Sequence, residues 1–411
     1  MTCESCIEKD RIISELIKRI EELEQQVREL KSYIWKPKIQ TVKPLKLGPP
    51  ENHEPNNRPI PKHIDETKKL SLKRCPECNG KLSKPIRVRK RYTEDIRQPE
   101  PYNTEYHIPY YYCRKCKRQV SPKPADAIPK CRFGIKLMLL TTYLRYGMLM
   151  PLNKISNLLK ACYGISISEG CIVDSLSRFA EYAGSEFERI KQKVRELAVV
   201  NIDETGWRIN GRNVWLWDFI GEELALLLIR NSRGKDVLSE VIGDDYNGVV
   251  VSDCLYTYRN LACRQQKCWA HVLRRTKSIG NKEGVLLHRR LKRMVELGKS
   301  GKFSESHMLK MLDKVLGIKY ADYRCTAVIN TLRKDREHWF TYVSVPALSS
   351  NNNAAEIGLR QSVVMRKITG GNRSEKGARN HEVIMSVMQT WNKEGRDFFE
   401  EAYKIVQENL R

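Results

Sequence analysis

The chain has 411 residues and a formal net charge of +25, from 74 Lys and Arg against 49 Asp and Glu. This length allows two or three domains with at least one large core, and the charge favours a polyanionic partner: nucleic acid first, a ribosomal or membrane surface second. The most apolar stretch, residues 135–150, is interrupted by Lys136 and Arg145 and is too short to cross a bilayer, and residues 1–35 lack a signal-peptide pattern. These features predict a cytoplasmic protein whose thirteen cysteines do not form a disulfide framework.

A heptad repeat of apolar residues runs through residues 13–34. Branched residues occupy the a positions and leucines the d positions, a combination typical of a parallel two-stranded coiled coil. The a positions are Ile13, Ile20, Val27 and Ile34, and the d positions are Leu16, Leu23 and Leu30. We interpret residues 1–35 as a coiled-coil oligomerisation helix that forms a homodimer or a larger assembly; the alternative is an amphipathic helix that packs on its own domain. Residues 36–71 are predicted to be a basic, proline-rich linker.

Two C-x-x-C knuckles predict a structural zinc site within residues 72–125. Each knuckle supplies two thiolates, so both together complete a tetrahedral set for one Zn²⁺. The four predicted ligands are Cys75, Cys78, Cys113 and Cys116. Between the knuckles, residues 87–92 and 110–112 have a pattern suited to strands, which predicts a small zinc ribbon-like module, and Arg89 and Arg91 are candidate DNA contacts.

Residues 126–197 have a helical pattern that contains a helix-turn-helix-like pair. The first helix is predicted over residues 152–161, the turn includes Gly164, and Ser168 is a suitable N-cap for the second helix. Only Arg178 is cationic in that second helix. Reading of DNA and plain helix packing are therefore equally good interpretations of this domain.

The pattern changes to strands after residue 197. Strands are predicted at residues 198–203, 213–220 and 223–229, a helix at 234–242 and a fourth strand at 248–253. This order is the opening of the ribonuclease-H-like fold, whose metal-binding acids sit on the first and fourth strands. Helices at about 270–345 are predicted to be an insertion, followed by closing helices. The predicted fold class is multidomain α+β: coiled coil, zinc module, helical domain, and a ribonuclease-H-like α/β catalytic domain over residues 198–411.

Three acids are placed so that they can reach one point at the edge of the predicted sheet. Asp203 and Asp253 each follow a β-branched run that predicts a buried strand, and Glu356 lies at the start of a helical pattern. Carboxylates bind Mg²⁺ or Mn²⁺, and two such ions about 3.5–4 Å apart suit in-line displacement at a phosphodiester. The pattern predicts a DNA- or RNA-cutting enzyme in which Asp203 bridges two ions. Weaker or structural roles are assigned to Glu204, which is predicted to point to the opposite face of the sheet, and to Asp218 and Asp244.

Short strings around these acids resemble the transposases of the insertion sequence 66 (IS66) family. In chain order they are Asp203-Glu204-Thr205-Gly206-Trp207, Ser252-Asp253, Cys268-Trp269-Ala270-His271, Asn352-Asn353-Ala354-Ala355-Glu356 and Gly370-Gly371-Asn372-Arg373-Ser374. The resemblance spans nearly the whole chain and implies that Asp203, Asp253 and Glu356 are the catalytic triad. It also implies nicking of double-stranded DNA at transposon ends, joining of the 3′ hydroxyl to target DNA, and accessory proteins. Gly206 replaces a proline found in many members, which relaxes the turn without removing a ligand.

Other side chains near the triad carry less specific signals. His271 is predicted to be an auxiliary residue that bonds the scissile phosphate or an acid of the triad; a packed core histidine, or a second zinc site with Cys268 and Cys263, are the alternatives. Five cations on or after the Glu356 helix are candidate DNA contacts, or else an ordinary basic surface. They are Arg360, Arg366, Lys367, Arg373 and Arg379.

Two other functions remain open. A zinc-containing DNA-binding regulator or inactive transposase would bind without cutting, although it has no use for the three acids. A non-mobile ribonuclease-H-like nuclease would keep the chemistry without transposition. The prediction is a DNA transposase with two Mg²⁺ (or Mn²⁺) per active site, one structural Zn²⁺, double-stranded DNA as partner and no membrane association.

Overall fold

The computed structural model describes residues 15–16, 19–26, 61–94, 99–124, 126–259 and 261–410. The chain divides into two compact units, Met1–Ile96 and Arg97–Arg411. Residues 15–16 and 19–26, within the predicted coiled coil, are helical, and the heptad residues Leu16, Ile20 and Leu23 are exposed in the single chain. The rest of the heptad repeat, linker residues 36–60, and Cys3 and Cys6 lie outside the described residues.

The first C-x-x-C knuckle forms a tight turn in the first unit. The backbone N–H of Asn79 donates to the carbonyl of Cys75 at 2.9 Å, and the N–H of Cys75 donates to the carbonyl of Gly80 at 3.0 Å. Asn79 has a φ of 56°, a conformation that asparagine tolerates in turns. The strand predicted over residues 87–92 is wrong, because the structure has irregular, exposed backbone there. Alternating basic residues with no strand to pair with do not form a ladder.

The second knuckle lies in the second unit, at the turn of a small hairpin. Strands β1 (Tyr111–Cys113) and β2 (Arg118–Val120) pair antiparallel, with Cys113 opposite Arg118. The backbone N–H of Cys116 points to the Sγ of Cys113 at 3.5 Å. The structure therefore contains one of the two predicted strand segments between the cysteine pairs.

Four helices and a π-helical turn follow the hairpin. They are α1 (Ile135–Thr142), the π turn Tyr143–Gly147, α2 (Leu152–Tyr163), α3 (Glu169–Tyr182) and α4 (Gly184–Val194). The predicted helix pair is present, with left-handed Gly164 ending α2 and the Ser168 hydroxyl capping α3. Arg178 donates to the carbonyls of Pro129 and Lys130, and Glu169, Asp174 and Glu181 are exposed on α3. This acidic face favours helix packing over DNA reading.

A five-stranded sheet forms the centre of the second unit. Its elements are β3 (Val199–Ile209), β4 (Arg212–Ile220), β5 (Ala225–Arg230), α5 (Lys235–Ile242), β6 (Val249–Ser252) and β7 (Arg264–Lys267). The strand order is β5-β4-β3-β6-β7; β3, β4 and β5 are antiparallel neighbours, while β3, β6 and β7 are parallel. The predicted meander, helix and fourth strand are all present, whereas β7 was not predicted.

Strand β3 is longer than the sequence predicts, so Asp203 does not end it. The hairpin with β4 continues to the turn at Asn210 and Gly211, whose φ values are 49° and 78°. Pairing with β6 ends earlier, at Asn201 opposite Val251. Asp203 therefore lies within a strand, just beyond the last parallel pair, while Asp253 directly follows β6.

Eight helices complete the second unit. They are α6 (Trp269–Ile279), α7 (Lys282–Lys299), α8 (Glu305–Leu316), α9 (Tyr323–Lys334), the short α10 (Thr341–Ser344), α11 (Asn353–Thr369), α12 (Glu375–Lys393) and α13 (Phe398–Leu410). Helices α6 to α10 share an apolar cluster that includes Leu291, Leu312 and Trp339. No helix among the described residues is long and apolar enough to cross a bilayer.

Helices α11 and α12 cover the antiparallel side of the sheet. Hydroxyl and carboxylate oxygens on α12 accept the free backbone N–H groups of β5: Thr390 from Ala225, Ser386 from Leu227 and Glu382 from Ile229. An edge strand that is covered in this way is not available to another chain.

The loop between α11 and α12 is held against β3, and this contact requires glycine at one position. Asn372 exchanges backbone hydrogen bonds with Arg208 and Asn210, and its Oδ1 accepts from the Trp207 indole at 2.7 Å. Gly371 has a φ of 114°, and a Cβ there would lie 2.4 Å from the carbonyl oxygen of Arg208. Neighbouring Gly370 also has positive φ, but a Cβ there would meet nothing within 4 Å.

We predict that Gly371→Ala lowers the free energy of unfolding by about 2–4 kcal/mol, because it adds a backbone clash to the left-handed strain. Gly370→Ala is the matched control and should cost only about 1–2 kcal/mol, the strain alone. Urea unfolding followed by tryptophan fluorescence measures both. Equal losses for the two variants would contradict the close approach of the loop to β3.

Candidate active site

The three predicted acids come together at one end of the sheet. Burial raises the pKa of Asp203 to about 7, and the negative charges of Glu204, Asp253 and Glu356 add to this rise. Coulombic interaction of this kind requires proximity in a partly desolvated setting. Asp253 is fixed by its own turn, since its Oδ1 accepts the N–H of Leu255 at 2.8 Å. The helical insertion between Asp253 and Glu356 thus does not keep these acids apart.

Glu356 is positioned by Asn352, a fully buried residue that precedes α11. The Asn352 side-chain amide donates to the carbonyl of Ile202 at 2.8 Å, one residue before Asp203. Its backbone N–H donates to the Sγ of Cys268 at 3.1 Å. One residue therefore ties the start of the Glu356 helix both to the strand of Asp203 and to the start of α6.

Two cationic or titratable side chains from α6 contact Glu356. Arg274 forms an ion pair with the Glu356 carboxylate, and the Nε2 of His271 lies 3.8 Å from the same Oε1. The Nδ1 of His271 is buried and has no hydrogen-bond partner in the described part of the chain. The predicted auxiliary His271 is therefore next to an acid of the triad, at ion-pair rather than hydrogen-bond distance.

Glu204 points to the opposite face of the sheet, as predicted. Its carboxylate accepts from Arg233 at 2.8 Å and from the Tyr258 hydroxyl at 2.5 Å. Burial raises the pKa of Glu204, while the bonds from Tyr258 and Arg233 oppose the rise. These partners hold the Glu204 carboxylate on the face of the sheet away from the triad, which gives it a structural role.

Asp218 is closer to the triad than its place in the sequence suggests. It lies directly opposite Asp203 in the β3–β4 register, is fully buried, and its Oδ1 accepts the backbone N–H of Asp203 at 3.1 Å. A Cβ on Gly358 of α11 would lie 2.7 Å from its Oδ2. Burial raises the pKa of Asp218 well above its ordinary value. The hairpin turn would have revealed this pairing, because counting back from residues 210–211 places 203 opposite 218.

A buried lysine on the unpredicted strand β7 lies beside Asp253. Lys267 is paired with Ser252 in the parallel register, and its ammonium group donates to the Ser252 hydroxyl at 3.1 Å. Burial lowers the pKa of Lys267, and the negative charges of Asp335 and Asp253 oppose this change. A buried positive charge thus offsets part of the repulsion among the acids.

The predicted DNA-contacting cations occupy different settings. Arg366 donates to the Thr205 hydroxyl at 3.2 Å, which places it two residues along β3 from Asp203. Exposed positions are occupied by Arg360, Lys367 and Arg373, and by Arg89 and Arg91 in the first unit. Arg379 instead joins α12 to α4, through Glu382, Glu188 and the ring of Phe187. Only Arg366 among them contacts the segment next to an acid of the triad.

The ligand atoms near the acids form one compact set. Among the described residues, three ligand atoms lie within 4.8 Å of one another, and they belong to Cys268, His271 and Glu356. Asp203, Asp253 and Glu356 do not form such a set. The raised pKa of Asp203 indicates a place where added positive charge is favourable.

Comparison with protein families matches two separate parts of this chain. A family described as "Transposase IS66 family" matches residues 130–306, and the "zinc-finger binding domain of transposase IS66" matches residues 73–117. The first match includes Asp203, Asp253 and His271 and ends before Glu356; the second includes both cysteine pairs. No curated protein matches the chain.

The two matches define a transposase with a zinc-finger domain, and together they cover more than half of the sequence. The chain belongs to the IS66 transposase family, as its sequence strings predicted. Membership of this family implies an enzyme that cleaves and transfers DNA.

The raised pKa of Asp203 predicts a pH dependence of stability in the absence of added divalent metal. The folded-state pKa of about 7 exceeds the ordinary value of 3.8, so the folded protein binds this proton more tightly than the unfolded chain. The resulting stabilisation is complete below about pH 4 and is lost as pH rises through about 7. We expect the free energy of unfolding of wild type to fall by on the order of 2–4 kcal/mol over this pH range, relative to that of Asp203→Asn.

Urea unfolding at a series of pH values measures this difference. Mg²⁺ added above pH 7 should raise the stability of wild type and leave Asp203→Asn unchanged, because the ion replaces the lost proton. Parallel pH profiles for the two proteins would show that Asp203 is not desolvated among negative charges.

Proposed function

We propose that this transposase cuts and joins DNA strands by two-metal-ion chemistry at Asp203, Asp253 and Glu356. The observation that carries the proposal is the placement of the acids: Asp203 lies just beyond the last β3–β6 pair, Asp253 directly follows β6, and the start of the Glu356 helix is bonded to the carbonyl of Ile202. Burial and the negative charges of Glu204, Asp253 and Glu356 raise the pKa of Asp203 to about 7, which supports it. Natural proteins rarely keep such carboxylates together unless a cation compensates them. The substrates are double-stranded DNA at the element's ends and in the target.

The sheet supports a ribonuclease-H-like catalytic domain over residues 198–411. Its order, β5-β4-β3-β6-β7, has two antiparallel strands on one side of β3 and two parallel strands on the other. The acids belong to β3, to the end of β6 and to a later helix that lies on the sheet. This placement supports the assignment of the three acids to one catalytic centre.

Each acid has a separate role in the proposed chemistry. Asp203 would bridge two Mg²⁺ or Mn²⁺ ions, while Asp253 and Glu356 would each complete the shell of one ion. When bound, the ions activate the attacking oxygen and stabilise the leaving oxygen of the phosphodiester. Asn352 holds the start of the helix that carries Glu356, and Asp218 holds the backbone N–H of Asp203. Both are therefore positioning residues.

DNA would approach along α11, which carries cations on its exposed side. Arg360 and Lys367 are exposed there, and Arg366 donates a hydrogen bond to the Thr205 hydroxyl on β3. Such cations neutralise phosphates without reading sequence. Arg373 in the following loop, Arg379 on α12, and Arg89 and Arg91 in the first unit are further proposed contacts.

The remaining modules are proposed to organise the complex. Cys75, Cys78, Cys113 and Cys116 would hold one structural Zn²⁺, which the match to the family's zinc-finger domain supports. The heptads of residues 1–35 would join two or more chains, so that two transposon ends are brought together. Accessory proteins of the element are proposed partners.

We predict that Asp203→Asn, Asp253→Asn and Glu356→Gln each reduce Mg²⁺-dependent nicking of end DNA by at least about 10³-fold, because each removes an ion ligand. Asp244→Asn is the control: Asp244 is paired with Lys235 and Ser239 and should keep near-wild-type activity. The measurement is strand cleavage and strand transfer on labelled terminal fragments, with any accessory proteins present. Unchanged cutting by all three triad variants, at wild-type protein stability, would contradict the proposal.

A further inference from the structure

The sequence Cys268-Trp269-Ala270-His271 places a cysteine and a histidine at the spacing of the two C-x-x-C knuckles. In the second knuckle, the backbone N–H of Cys116 donates to the Sγ of Cys113 at 3.5 Å. A backbone bond of this kind orients the sulfur toward a metal.

Cys268 lies directly before α6 and is fully buried. Its Sγ accepts the backbone N–H of Asn352 at 3.1 Å. The residue three positions on is histidine rather than cysteine, and histidine is an equally good zinc ligand. The start of α6 therefore carries a Cys-x-x-His pair whose sulfur is held by a backbone N–H.

The third ligand comes from another part of the chain. Glu356 lies on α11, and its carboxylate oxygen, a ring nitrogen of His271 and the Cys268 sulfur all lie within 4.8 Å of one another. Tetrahedral zinc with bond lengths of 2.0–2.3 Å places its ligand atoms about 3.3–3.8 Å apart. A contraction of about 1 Å, within the reach of the His271 and Glu356 rotamers, is sufficient to enclose an ion.

We propose that Cys268, His271 and Glu356 form a second transition-metal site, which takes a single Zn²⁺ and leaves its fourth position open. A thiolate, an imidazole and a carboxylate favour zinc over Mg²⁺, which prefers oxygen ligands alone. Cys263, the third ligand considered from the sequence, is not part of the cluster. Arg274 is already paired with Glu356, so it must share that carboxylate with the ion or turn to solvent, to which it is largely exposed.

The site shares Glu356 with the proposed magnesium pair, and this part of the inference rests on the proposed function. Zn²⁺ at the cluster would withdraw Glu356 from Mg²⁺ and slow DNA cutting. Zinc would thus act as an inhibitor of the catalytic centre, separate from its structural place in the cysteine module.

Metal content of the full-length protein tests the site without reference to activity. Wild type, saturated with Zn²⁺ and then dialysed, should retain about two zinc ions per chain, and His271→Ala and Cys268→Ser should each retain about one. Cys268→Ser keeps an acceptor for the Asn352 N–H, so it removes the ligand but not the anchor. Cys171→Ser, at an exposed thiol outside the cluster, and His288→Ala are the matched controls and should retain about two.

Cobalt substitution supplies a second readout that depends on the ligand set. Co²⁺ added to wild type should give thiolate-to-cobalt absorption at both sites, and the share of this absorption due to Cys268 should disappear in Cys268→Ser. Wild type that retains about one zinc, all of it lost in Cys113→Ser, would overturn the second site. Neither the zinc content nor the cobalt absorption depends on DNA cutting. Failure of the nicking assay would therefore contradict the magnesium chemistry without contradicting the second zinc site.

Discussion

The placement of Asn352 is the constraint on which the arrangement of the three acids depends. Its amide holds the carbonyl of Ile202 and its backbone N–H holds the sulfur of Cys268, so β3, α6 and α11 are joined at one buried point. A backbone donation from Trp269 to the carbonyl of Ser350 at 3.1 Å reinforces the junction. Arg366 and Gly358 hold later turns of the same helix against β3 and β4, whereas the Asn352 bonds fix its start, where Glu356 lies. A buried residue that donates from both its side-chain amide and its backbone N–H can fix a helix start in this way, because the cost of breaking either bond is a desolvated polar group.

Charged groups lie on both faces of the sheet at β3, and their partners differ between the two faces. On the α11 side, Asp203 and Asp218 are adjacent in the β3–β4 register, and the Oδ2 of Asp218 has no hydrogen-bond partner among the described residues. On the other side, Glu204 is satisfied by Arg233 and Tyr258, and the ring of Tyr258 lies 5.4 Å from the ammonium of Lys267. Successive residues of a strand face opposite sides of the sheet, so Asp203 and Glu204 meet different partners.

Much of this arrangement is readable from the sequence, and the exceptions have physical causes. The β-branched run before Asp253 and the capping serine of α3 carry strong local signals. The helix pair and strands β3 to β6 are present as predicted, although β3 continues to Ile209, beyond its predicted end at 203. Strand β7 was missed because its residues, Arg-Gln-Gln-Lys, are polar; Gln266 is buried only because its amide is satisfied by the backbone of Trp339 and Tyr342. The sequence pattern predicts a structural role for Asp218 because the closeness of Asp218 to Asp203 depends on the hairpin register, and it assigns no role to Asn352. Both depend on contacts between distant segments, which residue patterns do not encode.

The central claim is that Asp203, Asp253 and Glu356 share a pair of divalent ions. Anomalous diffraction at the manganese edge, from crystals of the protein with Mn²⁺ and a transposon-end duplex, tests it most directly. The account predicts two anomalous peaks about 3.5–4 Å apart, with Asp203 between them and Asp253 and Glu356 each bound to one. Peaks that lie away from Asp203, or an ion pair that Glu356 does not reach, would contradict it.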